Sequence, residues 1–577
     1  MTRRLIALLA ALLAASVVLT GCVSIPDSSS PQPIQAYDRQ RPTNIVPAPR
    51  KDDDPESVAR NFVKAMSDPG DGHRAARRFL DPQAGRTWDD SGDLTVIRDV
   101  GVVIDERTEN AVRLRVTGSK IGVLTPEGSL RQEDGDTVFA LTLARRNGGQ
   151  WRINGDVPHG TVTDSSQFLT AYRQVDLYYP DRTMTRLVAD PRWFFGPDPD
   201  PSLIVGRLLA GPTPALSGAA GQGADRGSTL TSPVSVSGDD VSIALGNVAD
   251  TDMRDRTVLA AQIAWTLDDA GVAGTYMITA DGAPLVADHE DGWRTADVRS
   301  FDPDPDVDNA PTVHLVRDGA LVRLAGGQAV PVPGEFGTSR DVRDAAISDD
   351  LSTMAVVVAR EGRQVLSVGP YGGTTVEAVS GREVSRPSIG PDRMTGYALV
   401  DGKPVKWYFD PASGSARSVT LDVGAVAESA PGPITDLRVS PDGVRVALVV
   451  GGRLLVAVAV TNDRGVPALT GVENIAPTID TPVIGAAWAT AKTLYLAREG
   501  DESPVWRASI TGTAPTELVS GNLKAPIRAI AASRRSVYVG DNRGVQQLGT
   551  VQARPDQYWT PVSRDAGAGS IPVIPER

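Results

Sequence analysis

Cys22 is the only cysteine in the 577-residue chain. Any thiol chemistry available to the protein therefore rests on this one side chain. It stands directly after Leu19-Thr20-Gly21, behind an apolar run over residues 5–18 that follows Arg3 and Arg4. A charged start, an apolar middle and a small-residue cleavage site form a secretory signal. The run is shorter than the roughly 20 apolar residues needed to cross a bilayer. With no second cysteine there is no intramolecular disulfide, so each domain must rest on its own core. The remaining candidates for chemistry are sparse. The histidines His73, His159, His289 and His314 are far apart in sequence, without the spacing of an imidazole metal site. No Gly-x-Ser-x-Gly nucleophile elbow occurs. The carboxylates Asp81, Asp89, Asp90 and Glu106 lie near turn signals with no histidine partner in view, which favours packing or binding over catalysis. Acidic runs at 197–200 and 302–308 lack the sixth-position glycine and closing glutamate of a calcium loop. Their alternating prolines suit extended linkers. The residues thus assign no catalytic group, no metal ligand and no cofactor.

Leu19-Thr20-Gly21-Cys22 resembles the lipobox of bacterial lipoproteins, Leu-x-Gly/Ala-Cys. The resemblance implies cleavage between Gly21 and Cys22, thioether lipidation of the Cys22 sulfur and acylation, as with palmitate, of the new amino terminus. The mature chain is then expected on the extracytoplasmic face of the cell membrane, held by lipid. Two or more chains anchor stably where one binds only marginally.

The elements behind Cys22 divide into four stretches. Residues 22–54 are rich in Ser, Pro, Gln and Asp and read as a disordered stalk carrying the lipidated cysteine. Residues 55–160 open with Val58, Phe62, Val63 and Met66 at helical spacing and continue with strand-like runs. Helices followed by a meander predict an α+β domain with helices on one face of an antiparallel sheet. It is similar to the cystatin and ketosteroid-isomerase cone. Residues 161–300 alternate strands with helices near 202–210 and 257–270. Leu208-Leu209-Ala210-Gly211-Pro212, residues 261–267 and Asp281-Gly282-Ala283-Pro284 resemble the GerM domain, which implies a small α/β module for protein contacts. Residues 301–577 repeat a strand head, as in Ile434-Thr435-Asp436-Leu437-Arg438-Val439-Ser440-Pro441-Asp442-Gly443, at intervals of roughly 42–50 residues. That period predicts an all-β propeller of about six blades, with a β-sandwich as the alternative. Asp344 and Asp436 occupy the same head position, where turn or ladder roles are expected.

A lipobox, a cone-like α+β domain, a GerM-like domain and a C-terminal propeller, in that order, resemble the LpqB family of actinobacterial lipoproteins. Scarce lysine and abundant arginine fit such a GC-rich source. The resemblance implies a non-enzymatic accessory to a two-component system. Its partner would be the extracellular domain of an MtrB-like sensor histidine kinase, with effects on envelope homeostasis and division. The alternative is a propeller enzyme or ligand-binding protein acting on envelope glycan, which requires carboxylates and arginines to converge on the propeller axis. A net charge of -13 argues against a nucleic-acid partner.

Overall fold

Asp54 begins the first helix by accepting the Ser57 amide at 2.8 Å, with Pro55 at the first helical position. The computed structural model describes residues 48–146, 149–221, 223, 227–248, 252–305, 311–551 and 556–576. Gly21, Cys22 and the expected stalk up to residue 47 lie outside these, as do residues 306–308 of the second acidic run. Helix α1 (Pro55–Ala65) buries Val58, Ala59, Phe62 and Val63 along one face. Helices α2 (Gly70–Arg77) and α3 (Ala84–Thr87) follow. Strands β1 (Leu94–Arg107), β2 (Ala111–Leu124), β3 (Leu130–Arg145), β4 (Trp151–Gly155) and β5 (Thr161–Asp164) form one sheet in the order β4-β3-β2-β1-β5. All neighbours are antiparallel except β1 and β5. Alternate residues Val112, Leu114 and Val116 of β2 meet Leu141 and Leu143 of β3 beneath the helices. The parallel strand β5 is an addition to the expected meander and lies beyond residue 160.

The second domain begins with α4 (Ser165–Ala171) and a hairpin of β6 (Tyr172–Pro180) and β7 (Leu187–Phe195). Helix α5 (Pro201–Leu209) is capped by Asp200, so the first acidic run serves as a helix start. Gly211, at φ 98°, supplies the left-handed stop beyond it. Strands β8 (Thr229–Leu230), β9 (Ser235–Ser237) and β10 (Asp240–Gly246) precede α6 (Met253–Asp269), β11 (Thr275–Ala280) and β12 (Ala283–Pro284). The sheet order is β12-β11-β10-β8, with β9 also on β10 and with β10 and β11 parallel. Leu259, Ile263, Ala264 and Leu267 of α6 enter the core.

Six four-stranded sheets make up the third domain, a six-bladed propeller. The repeated heads are its innermost strands: Val342–Ile347, Ser388–Ile389, Ile434–Val439, Val483–Trp488 and Ala529–Ser533 in blades two to six. Second strands such as Arg445–Val450 are buried at every residue because each blade is sandwiched between two others. The first blade takes three strands from residues 314–331. Its inner strand comes from Ile571–Val573, which pairs antiparallel with His314–Val316. This pairing closes the ring and leaves no open inner edge.

The three domains share contacts within one compact unit, residues 44–577. Val444 and Val458 of blade four belong to the core of the second domain. Arg445 Nη2 donates to the Ala189 carbonyl at 2.7 Å, and Gln132 of the first domain donates to the Thr513 carbonyl at 2.9 Å. Lys492 of the propeller forms an ion pair with Asp176, whose side chain is 1% exposed. Asp176 also accepts from Gln174 at 2.7 Å, and its amide donates to Asp269 at 2.9 Å. Burial first, and then the Asp176 carboxylate, push the Asp269 pKa up. Removing Lys492 strands a buried carboxylate beside a second acid. Lys492→Met is therefore expected to lower unfolding stability by about 3 kcal/mol, and adding Asp176→Leu should restore part of it, as read from chemical denaturation.

His314 is fully buried at the ring closure, with Nδ1 3.0 Å from the Thr312 carbonyl and Nε2 2.9 Å from the Tyr371 hydroxyl. Nδ1 donates and Nε2 accepts in the neutral ring that satisfies both partners. Burial lowers its pKa from 6.5 to about 4. The unfolded chain thus takes up a proton that the folded chain resists. Stability from this group is fully present above pH 6.5 and declines as pH falls toward 4. The loss is roughly 3 kcal/mol. Unfolding free energy measured between pH 7 and 4 should fall less steeply in His314→Gln than in the unsubstituted chain.

Candidate functional site

A β-bulge recurs at the head of the inner strands. The pairing register shifts between Val342 and Asp344, between Ile434 and Asp436, and between Val483 and Gly485. A bulge re-aims the side chain that follows it. Asp344 and Asp436 are the residues so placed in blades two and four, and both meet arginines. Asp436 pairs with Arg438 at 2.8 Å, and Asp344 stands 3.9 Å from Arg386. The convergence that an axial site requires is present.

The cluster also ties the blades together. Arg438 Nη1 donates to the carbonyl oxygens of Arg386 at 2.9 Å, Pro387 at 3.3 Å and Leu437 at 3.0 Å. Arg386 Nη1 reaches from blade three to the Ile530 carbonyl of blade six at 2.8 Å. Asp436 accepts the Ala486 amide at 3.0 Å. Glu576, just past the closing strand, accepts from Ser388 Oγ at 2.9 Å and from the Ile389 amide at 2.7 Å. Burial pushes the Asp344 carboxyl pKa up in spite of the arginines beside it. Burial also pulls the Arg386 pKa down, helped by repulsion from Arg438. The Nε atoms of Arg386 and Arg438 are buried without a hydrogen-bond partner. Cation and anion thus offset one another incompletely.

Above this cluster, at the end where the inner strands finish, lies a cavity of about 800 Å³. Arg386, Ser388, Arg438 and Glu576 contribute to its lining, and Trp488 and Ile574 add apolar wall. The turn between β6 and β7 covers it through Thr185, Arg186 and Leu187, together with residues 300–305. Arg186 fastens this cover by donating to the Pro391 carbonyl at 2.8 Å.

The other candidates lie elsewhere. Asp90 lies 2.9 Å from His73 and 2.8 Å from Arg77, and Asp89 lies 3.0 Å from His159. This corrects the expectation that these carboxylates lack histidine partners. The partners stand 17 and 70 residues away in the chain, and only the packing of α2 and of the 156–160 loop brings them in. Burial acts to raise the Asp90 pKa, but hydrogen bonds from His73 and Arg77 outweigh it and the pKa is lowered. Arg77 lies over the Trp88 ring at 5.1 Å, and Trp88 Nε1 donates to the Pro158 carbonyl at 2.9 Å. The group braces the first domain. Asp81 caps the turn into α3 through the Gln83 and Ala84 amides, and Glu106 is exposed on β1. His289 stacks on Trp293 at 3.5 Å. Among the described residues, no group of three or more His, Cys, Asp or Glu is placed to hold a metal ion, and no helix is long and apolar enough to cross a membrane.

Arg386, Arg438 and Glu576 were not singled out from the sequence. Arg386 stands at the same head position as Asp344 and Asp436, so a charge of either sign there was the available signal. Glu576 follows a strand too short to register as a repeat.

Three family profiles match the chain in succession. They are described as Lipoprotein LpqB, N-terminal domain over residues 48–169, Sporulation and spore germination over 176–286, and Lipoprotein LpqB beta-propeller domain over 319–575. Proteins named Lipoprotein LpqB are similar over almost the whole length. The one from Mycolicibacterium smegmatis is 35% identical, covering 97% of this chain and 97% of its own. That from Rhodococcus opacus is 34% identical over 98% and 97%, and that from Mycobacterium leprae 33% identical over 98% and 98%. With 33–35% identity to these proteins over nearly the whole chain and LpqB profiles matching at both ends, the protein belongs to the LpqB lipoprotein family.

Proposed function

We propose that this chain is an extracytoplasmic lipoprotein, anchored by lipid at Cys22 after cleavage behind Gly21. In this reading it binds the extracellular domain of an MtrB-like sensor histidine kinase and modulates its signalling. Envelope homeostasis and division are the processes affected. The lipid anchor is supported by the lipobox and by the names of the full-length relatives. The observation that carries the contact role is the interlocking of three domains into one unit. Lys492 with Asp176, Arg445 with Ala189 and Gln132 with Thr513 span its joints. A binding event on one domain is then felt by the others. Tethering to the same membrane raises the effective concentration toward a membrane receptor.

A non-catalytic role is supported by the state of the axial groups. Asp436 and Glu576 are held by protein donors, and Asp344 sits beside Arg386. A hydrolase acting on glycan needs a carboxylate pair presented to substrate.

Cys22→Ala is expected to move the protein from the membrane fraction to the soluble fraction and to remove the acyl mass from its N-terminal peptide in mass spectrometry. The chain from residue 22 onward, carrying Cys22→Ser, is expected to be captured by the immobilised sensor domain of the kinase. Absence of capture, together with unchanged kinase output in a strain lacking the protein, would refute the partner.

A further inference from the structure

The cavity at the propeller's axial end has the size of a ligand pocket. Such pockets measure about 300–1,000 Å³, and this one is about 800 Å³. Its charge is informative. Among the described residues, six arginines and six carboxylates line it. A lining of zero net charge is a poor match for a polyanion such as a phosphate ester.

Five of these twelve charges pair with one another at the rim. Arg393 pairs with Asp349 at 3.0 Å and with Asp350 at 3.1 Å, and Arg534 pairs with Asp304 at 2.5 Å. The floor differs. The Arg386 side chain is 10% exposed, has one carbonyl at 2.8 Å and keeps Asp344 at 3.9 Å, beyond hydrogen-bond range. Its Nε has no partner. Glu576 is held by neutral donors, a hydroxyl and an amide. Arg386 and Glu576 thus both line the base of the cavity, and both are held mainly by neutral groups of the protein, whereas Arg438 beside them is paired with Asp436. A buried charge without a well-placed counter-charge is costly, and a ligand that carries both signs relieves both groups without adding net charge. Trp488, Ala489, Ala531 and Ile574 leave room beside them for apolar side chains.

We infer that this cavity is a binding site for a small zwitterion of the peptide class, with Arg386 taking the carboxylate and Glu576 the ammonium group. The charge-assisted hydrogen bonds so formed are about twice as strong as neutral ones. The site requires both the propeller floor and the cover supplied by the β6–β7 turn.

The test is titration calorimetry on the chain from residue 22 onward with Cys22→Ser. The probes are tetra-alanine, its N-acetyl form, its C-terminal amide and inorganic phosphate. Tetra-alanine is expected to bind at least tenfold more tightly than either blocked form and more tightly than phosphate. Glu576→Gln should abolish the penalty for acetylation and keep that for amidation, and Arg386→Gln should do the reverse. Ala489 lines the wall and belongs to none of the ion pairs, so Ala489→Trp is expected to occupy the cavity and abolish binding while leaving the thermal transition in place. Equal affinity for the three peptides, tighter binding of phosphate, no binding of any peptide, or full binding by Ala489→Trp would overturn the proposal. No kinase is present in the experiment, so its outcome bears on the cavity alone.

Discussion

The antiparallel pairing of Ile571–Val573 with His314–Val316 is the constraint on which the remaining architecture depends. Without it the first blade has three strands, and blades one and six have no shared inner seam. The closing segment does more than complete a sheet. The Glu576 amide donates to the Ile347 carbonyl at 2.7 Å, and the Asp349 amide donates back to Glu576 at 2.8 Å. The Glu576 side chain then reaches Ser388 and Ile389. Six residues of chain thereby connect blades one, two and three. His314 is sealed beneath this seam, which is why its ring is kept neutral.

Closure also creates the axial site. The heads of blades two, three and four place Asp344, Arg386, Asp436 and Arg438 around the channel, and the closing segment of blade one delivers Glu576. Ion pairs removed from water are not strongly stabilising in themselves, because desolvation opposes the attraction. Their contribution here is positional. Arg438 fixes three carbonyl groups and Arg386 crosses to the sixth blade, so the charges set blade register. The second domain completes the space above them. Its hydrophobic core merges with blade four, and its β6–β7 turn lies over the cavity, so the second domain and the propeller build that space together.

Much of this was readable in the chain because one physical rule repeats. Blades two to six repeat a strand head followed by a largely apolar second strand, and in blade four a Ser-Pro-Asp-Gly turn joins the two. Ser440 Oγ donates to Asp442, and the Arg445 amide donates to Ser440 Oγ at 3.0 Å, which is the turn that made the head visible. Helices α1, α5 and α6 were legible from their apolar spacing and stops. The rest was hidden for stated reasons. Strand β5 has four residues and runs directly into α4, too short for a period. The pairing of His73 with Asp90 depends on the packing of α2 against the loop that carries Asp90, which no local pattern encodes. Arg386 carries the opposite sign at the head position of Asp344 and Asp436, so no single residue type marks the ring of inward positions. The inner strand of blade one lies far in sequence from its neighbours, where no repeat spacing reveals it.

Native-state hydrogen exchange of the full mature chain tests the central claim, that this seam holds the propeller and its axial site together. The decisive amides are those of Asp349, Ile389 and Glu576. The account predicts that all three exchange only through the opening that exposes inner-strand amides such as Ala346, opposite Ala355, with the same free energy and the same dependence on denaturant. Fast, independent exchange at Asp349, Ile389 and Glu576 while Ala346 stays protected would contradict it.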